Sequence, residues 1–341
     1  MARTLEEMAQ ILGISRRSIS RFLQGKGYLS KGNREVISAF LRKEAYYPNV
    51  LGARLAAHHV PVLGVVFPRF EQQDGGFYVF SILKGIWQAA QKAGMQVMQF
   101  SQSPFQEEES LRIVKSKLAG GLLFVSPNEG DRPLFRTLKR EGIACVVLSA
   151  TIPGVESFVS DNRGGAREAV RHLIRQGNKR IAFLHGKAGW SEAEDRFVGY
   201  REALREGGLR FDPKGVQYGY FSIEGGEEST DRLLGGTFRP DAVFAANDLM
   251  AIGAVRAIRK RGLQIPGDVC LIGYDDIPFC GLSILEPTLS SMAQPFGPMA
   301  EDAAACLVGL IQKKSLKRGG AVHSYAPELV VRGSSLRVSK S

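Results

Sequence analysis

Residues 4–24, Thr-Leu-Glu-Glu-Met-Ala-Gln-Ile-Leu-Gly-Ile-Ser-Arg-Arg-Ser-Ile-Ser-Arg-Phe-Leu-Gln, read as two short helices joined by a tight turn. Leu5, Met8, Ala9 and Leu12 recur at helical spacing, Gly13 interrupts, and Ser15 stands where a second helix needs an N-cap. In that second helix Ile19, Phe22 and Leu23 face inward, while Arg16, Arg17 and Arg21 share the outward side if each residue advances roughly 100°. This is a helix-turn-helix pattern, whose second helix lies in a DNA major groove. An arginine there can bond guanine bidentately, and the hydroxyls of Ser15, Ser18 and Ser20 suit phosphates, which position a protein without reading sequence.

Beyond a loop containing Gly25 and Gly27, Ser30 to Asn33 caps an expected third helix through Arg42, with Val36, Ile37, Phe40 and Leu41 inward. Charge agrees with a nucleic-acid partner. Residues 1–60 carry ten Lys/Arg against four Asp/Glu, more than half of the net charge of +11 in under a fifth of the 341 residues. The four cysteines, Cys145, Cys270, Cys280 and Cys306, have no metal-ligand spacing and read as reduced core thiols. No apolar run approaches the length of a membrane span and no signal peptide precedes the first helix, so the expected compartment is the cytoplasm.

From Val62 onward short apolar runs alternate with amphipathic stretches. Residues 62–67, 97–100, 121–125, 145–148, 181–184, 242–245 and 269–273 read as buried parallel strands with helices between them, an α/β doubly wound plan long enough for two lobes. Ligands of such folds bind beyond the C-terminal ends of the strands.

Residues 3–57 resemble the headpiece of the lactose-repressor family of bacterial transcription regulators, which ends in a Tyr-x-Pro-Asn hinge matched here by Tyr46-Tyr47-Pro48-Asn49. The resemblance continues through Ser160-Asp161-Asn162, His172 to Ile181, Arg196-Phe197-Val198-Gly199-Tyr200, Ala246-Asn247-Asp248-Leu249-Met250 and Gly273-Tyr274-Asp275-Asp276. It implies a helix-turn-helix headpiece (1–46), a hinge helix (47–60) and a core (61–341) like periplasmic sugar-binding proteins. The first lobe would comprise about 61–160 and 291–320, and the second about 161–290 and 321–341. The resemblance puts Arg16 and Arg17 at the variable base-reading positions and Arg21 at the usual base-reading arginine. Thr4, Ser15, Ser20, Asn33 and Arg54 join the DNA contacts, and Leu55 is the hinge leucine that wedges the minor groove. The sequence departs from the family pattern at Glu7, Leu12, Ser18, Gln24 and Asn33. The hinge reads Gly52-Ala53-Arg54-Leu55 where Ala-Arg-x-Leu is usual.

For the effector, the resemblance implies polar ligands at Arg196, Asn247 and Asp275 and a stacking aromatic at Phe221, with Phe77, Tyr78, Ser149 and Trp190 as further contacts. Sugars favour planar bidentate partners and an aromatic platform, which these residue types supply. A neutral sugar suits Trp190, Phe221 and Asp275, whereas Arg196 near Lys187 also suits a sugar acid or phosphate. Loss of Arg196 or Asp275 is expected to abolish the response while leaving the fold intact. The implied partners are double-stranded operator DNA, a small-molecule effector and a second copy of the chain, with no membrane, cofactor or metal. The alternatives are a corepressor-dependent regulator of the purine type and, remotely, an α/β sugar-processing enzyme. Against the enzyme, Gly186-Lys187-Ala188-Gly189 is no phosphate loop, and His58, His59, His172, His185 and His323 form no triad or metal spacing.

Overall fold

The computed structural model describes residues 4–23, 29–44, 60–68, 77–101, 106–127, 129–281, 286–312 and 320–337. The chain divides into two units, Met1–His59 and Val60–Ser341.

The first unit contains α1 (Leu5–Leu12), α2 (Arg16–Leu23) and α3 (Lys31–Lys43). A capping box starts α1: Thr4 Oγ1 accepts from the Glu7 amide at 3.2 Å and Glu7 Oε2 from the Thr4 amide at 2.8 Å. Gly13 ends α1 in the left-handed conformation, φ 62°, which lets the chain turn at once into α2. Met8, Ile19 and Ile37, one from each helix, are fully buried and form the centre of the unit, with Phe22, Leu23, Phe40 and Leu41 packed around them. Val36, expected inward, is 46% exposed: a step of roughly 100° from the buried Ile37 carries it off the inner face.

The second unit is built on two six-stranded sheets. In the first, β11 (Val322–Tyr325), β5 (Glu156–Ser160), β4 (Cys145–Leu148), β3 (Gly121–Val125), β1 (Val62–Phe67) and β2 (Gln96–Ser101) lie side by side in that order, all parallel. In the second the order is β12 (Glu328–Val330), β10 (Ser290–Ala293), β9 (Cys270–Asp275), β8 (Ala242–Ala245), β6 (Ile181–His185) and β7 (Val216–Tyr218), parallel except for β12. Every residue of β1, β3, β6 and β8 is buried, the condition of central strands covered on both faces.

Helices α4 (Phe77–Lys92), α5 (Gln106–Lys115), α6 (Arg132–Arg140) and α11 (Phe296–Ile311) belong to the first lobe, and α7 (Asn162–Arg175), α8 (Ser191–Glu206), α9 (Ile223–Gly235) and α10 (Asp248–Lys260) to the second. They pack in pairs, α4 with α11, α7 with α8 and α9 with α10. A glycine marks each closest approach. A Cβ would strike a facing carbonyl oxygen at Gly85 (Gly297), Gly199 (Arg163) and Gly253 (Ile223), so no larger residue fits without moving a backbone.

The lobes exchange chain three times, after Ser160, after Ala293 and between Tyr325 and Glu328. Residues 291–293 therefore pair in the second sheet and 322–325 in the first, so the last two crossings fall a few residues later than the boundaries 291 and 321 read from sequence. Because β5 and β10 each leave their sheet at its C-terminal edge to enter the other lobe, the C-terminal edges of both sheets face the cleft between lobes.

Candidate DNA interface and effector cleft

On the first unit, Arg16, Arg17 and Arg21 are exposed on α2, as are Thr4, Ser15 and Asn33, while Ser20 is half-buried. Ser15 is spent locally, its hydroxyl accepting from the Ser18 amide at 3.2 Å. Thr4 and Asn33 also serve helix starts, Asn33 by donating its amide to Ser30 Oγ at 3.3 Å. Arg16 lies against Glu6 of α1, Nη1 to Oε1 2.5 Å, with both side chains mostly exposed. Such a pair is worth at most about 1 kcal/mol, so it does not hold Arg16 from another partner. Arg54 and Leu55 lie outside the described residues.

In the second unit, strained backbone collects at the cleft. Of eight non-glycine residues with positive φ among the described residues, six end or follow strands at the C-terminal edges: Ser126, Ser149, Tyr220, Phe221, Asp275 and Asp276. Non-glycine residues persist there only when their surroundings hold them, a pattern common at binding sites.

Arg196 is the hub. It is 4% exposed, donates from Nε to Asn162 Oδ1 at 2.8 Å and from Nη1 to the Ala246 carbonyl at 2.5 Å, and stacks over the Tyr274 ring at 3.9 Å. Its Nη2 is 3.7 Å from Asp275 Oδ1. That same oxygen accepts from Gln294 Nε2 at 2.6 Å. The two charged candidates are thus each tied to a different crossing, Arg196 through Asn162 on the first and Asp275 through Gln294 on the second. Burial pushes the Asp275 carboxyl up to about 6 against the pull of Arg196. Asp248, fully buried, accepts from Ser291 Oγ at 2.6 Å and from the Ile277 amide at 2.9 Å; burial and the neighbouring Asp275 raise it to about 8. Asp276 points elsewhere, to Arg332 Nη1 at 2.7 Å.

Asn247 caps α10, accepting from the Met250 amide at 2.9 Å, and donates to the Phe221 carbonyl at 3.2 Å. The Phe221 ring packs flat where a Gly186 side chain would be. Trp190 begins α8 with its ring 6.2 Å from that of Phe221 and tilted 55°, so the two do not cover each other, and Lys187 Nζ stands 5.5 Å from the Trp190 centroid. These aromatics follow β6 and β7, at the side of the cleft away from the crossings. In the first lobe Ser149 follows β4, and its buried hydroxyl has no hydrogen-bond partner among the described residues. Tyr78 packs on Phe296, 5.5 Å between centroids, within the lobe core. Phe77 opens α4, and its side chain lies outside what is described.

Asn162, Tyr274, Gln294 and Glu192 were not singled out from sequence. Asn162 and Tyr274 lie within motifs legible in the sequence but have no cleft role assigned there, Gln294 carries no signal of its own, and Glu192 is detectable only by its spacing of one turn before Arg196. All four cysteines are free, Cys270 and Cys280 buried and the others half-buried. Burial raises the Cys145 thiol to about 12, as expected of inert core thiols. No group of His, Cys, Asp or Glu suited to a metal occurs among the described residues.

The periplasmic binding protein-like domain matches residues 170–335. The regulator CelR of Thermobifida fusca, a helix-turn-helix transcriptional regulator, is 31% identical over 315 residues, 90% of this chain and 92% of that protein. A solved CelR–cellobiose complex superposes with a TM-score of 0.73 at 29% identity, covering 97% of this chain and 99% of that one. The lac repressor dimer bound to operator shares the fold, TM-score 0.85 at 23% identity, over 99% of this chain and 100% of that one. A two-sheet core of this kind behind a helix-turn-helix unit defines a ligand-binding regulator of transcription. This chain belongs to the LacI family of transcriptional regulators, and it is not an enzyme.

Proposed function

We propose that the protein represses a carbohydrate-utilisation operon, binding a pseudo-palindromic operator as a homodimer in the cytoplasm under the control of a sugar held between its lobes. The observation that carries this reading is the convergence of Arg196, Asn247 and Asp275 beside the Trp190–Phe221 pair, with the first and third tied to separate crossings. A sugar bonded to these residues acts on the segments that set the lobe angle, and it shifts the population toward whichever angle it binds better. The complex of the similar CelR with cellobiose supports a sugar as ligand. No helix among the described residues is long and apolar enough to cross a membrane.

A headpiece that reads half a site needs a partner held at fixed spacing. For the dimer we point to Phe80 and Trp87, 67% and 49% exposed on one face of α4 and beside the edge strand β2. In the headpiece, Arg16, Arg17 and Arg21 are the base readers and the hydroxyls beside them contact phosphate. Arg17→Ala should weaken specific operator binding by about 1–3 kcal/mol and leave most binding to random DNA. Equal losses on both DNAs, measured at one salt concentration, would show that Arg17 only neutralises phosphate.

A thermal-shift screen of sugars, sugar acids and purines tests the effector. A true ligand at 100 times its Kd stabilises the core by about 2.7 kcal/mol. A purine that outperforms every sugar would sink the carbohydrate reading. Binding of the sugar should also depend on acid. A hydroxyl donates best to an ionised Asp275, which titrates near 6, so affinity should fall by up to about tenfold from pH 7 to pH 5. A flat profile across that range removes Asp275 from the contact set.

A further inference from the structure

The charge around Arg196 favours one chemical class of effector. Its guanidinium is already engaged by Asn162, Ala246 and Tyr274 and has Asp275 at 3.7 Å. Glu192 stands four residues before Arg196 on α8, which puts the two on one face of the helix, one turn apart. Glu192 is half-buried, and the neighbouring Ser191 hydroxyl donates to its Oε2 at 3.2 Å. Burial raises it, and it interacts electrostatically with both Arg196 and Asp275. Arg163, the next cation along α7, is bound at both its Nε and Nη2 by Glu202, and Lys187 is exposed over Trp190 at the aromatic side. Among the described residues, the polar end of the cleft therefore holds two carboxylates against one guanidinium whose donors are largely used.

Resting on the sugar-effector reading above, we propose that Glu192 is a specificity-determining residue that restricts the effector to uncharged sugars and rejects sugar acids and sugar phosphates. Sugar hydroxyls donate to the Glu192 and Asp275 carboxylates and accept from the remaining Arg196 protons. An anionic group placed there meets like charge in a partly desolvated site, and among the described residues the guanidiniums of Arg196 and Arg163 are already engaged. Rejection by an unpaired like charge is a common source of specificity.

The test compares matched ligands on the full-length protein by calorimetric titration: neutral mono- and disaccharides, the corresponding hexuronic acids and the hexose 6-phosphates. The expected result is binding of at least one neutral sugar and at least tenfold weaker binding of its acid and phosphate. Glu192→Gln should narrow that ratio severalfold by strengthening the anions, and Glu192→Asp should largely restore it. An acid or phosphate that binds the parent protein as tightly as its neutral counterpart overturns the proposal while leaving a sugar as effector. An unchanged ratio in Glu192→Gln overturns the role of Glu192. Binding of none of these sugars by the folded protein overturns both the proposal and the sugar reading beneath it.

Discussion

Arg196→Ala is expected to abolish the response of operator binding to effector and, unlike most ligand-contact changes, to destabilise the core by about 3–5 kcal/mol. The sequence alone suggests a dispensable contact whose loss leaves the fold intact, but the geometry is different. Removing the guanidinium strips the Asn162 carbonyl oxygen and the Ala246 carbonyl of their donors and leaves Asp275, already raised by burial, without its cation. It also empties the space over the Tyr274 ring. Thermal unfolding of the second unit should therefore move down by many degrees. Asp275→Asn separates the two roles, because the amide keeps the volume and can still bond Gln294 while losing the charge. It should weaken effector binding and cost much less stability. Unfolding of Arg196→Ala at the parent temperature would mean that the buried cation contributes nothing to the fold.

The same residue shows what sequence makes legible. Strands β1, β3, β4, β6 and β8 stood out because central parallel strands are nearly continuous apolar runs, and their bounds match the structure to within a residue. Strands β5, β7, β10, β11 and β12 did not. β7 and β11 are edge strands with much exposed surface, so nothing forces an apolar run. β10 reads Ser-Ser-Met-Ala and is nevertheless buried, because its hydroxyls are satisfied by distant partners: Ser290 Oγ bonds the Arg332 carbonyl at 2.9 Å and Ser335 Oγ at 2.7 Å, and Ser291 Oγ bonds Asp248 at 2.6 Å. That pairing spans more than 40 residues and has no local signature. The cleft follows the same logic. Arg196, Asn247, Asp275 and Asn162 sit in recognisable motifs and Gln294 in none, but the cleft roles of Asn162 and Gln294 exist only when the crossings bring them against Arg196 and Asp275.

Ile19→Ala should remove DNA binding altogether while sparing the ligand-binding unit. Ile19 is one of three fully buried side chains at the centre of the first unit, facing Met8 and Ile37. Deleting its outer carbons costs about 2–5 kcal/mol in lost transfer energy and residual cavity. A unit of this size has little stability to lose, since a small domain buries a smaller share of its surface than a large one. The substitution therefore unfolds the headpiece at growth temperature. Residues 60–341 have their own cores and form a separate unit, so their thermal transition and effector binding should match the parent. The pattern differs from that of Arg17→Ala, where specific binding falls and non-specific binding largely survives. With Ile19→Ala both fall together, because an unfolded α2 presents its arginines in no fixed geometry. Operator and random-DNA titrations alongside circular dichroism distinguish the two cases. Retention of operator affinity by a headpiece that has lost its helical signal would require a DNA-reading element elsewhere in the chain.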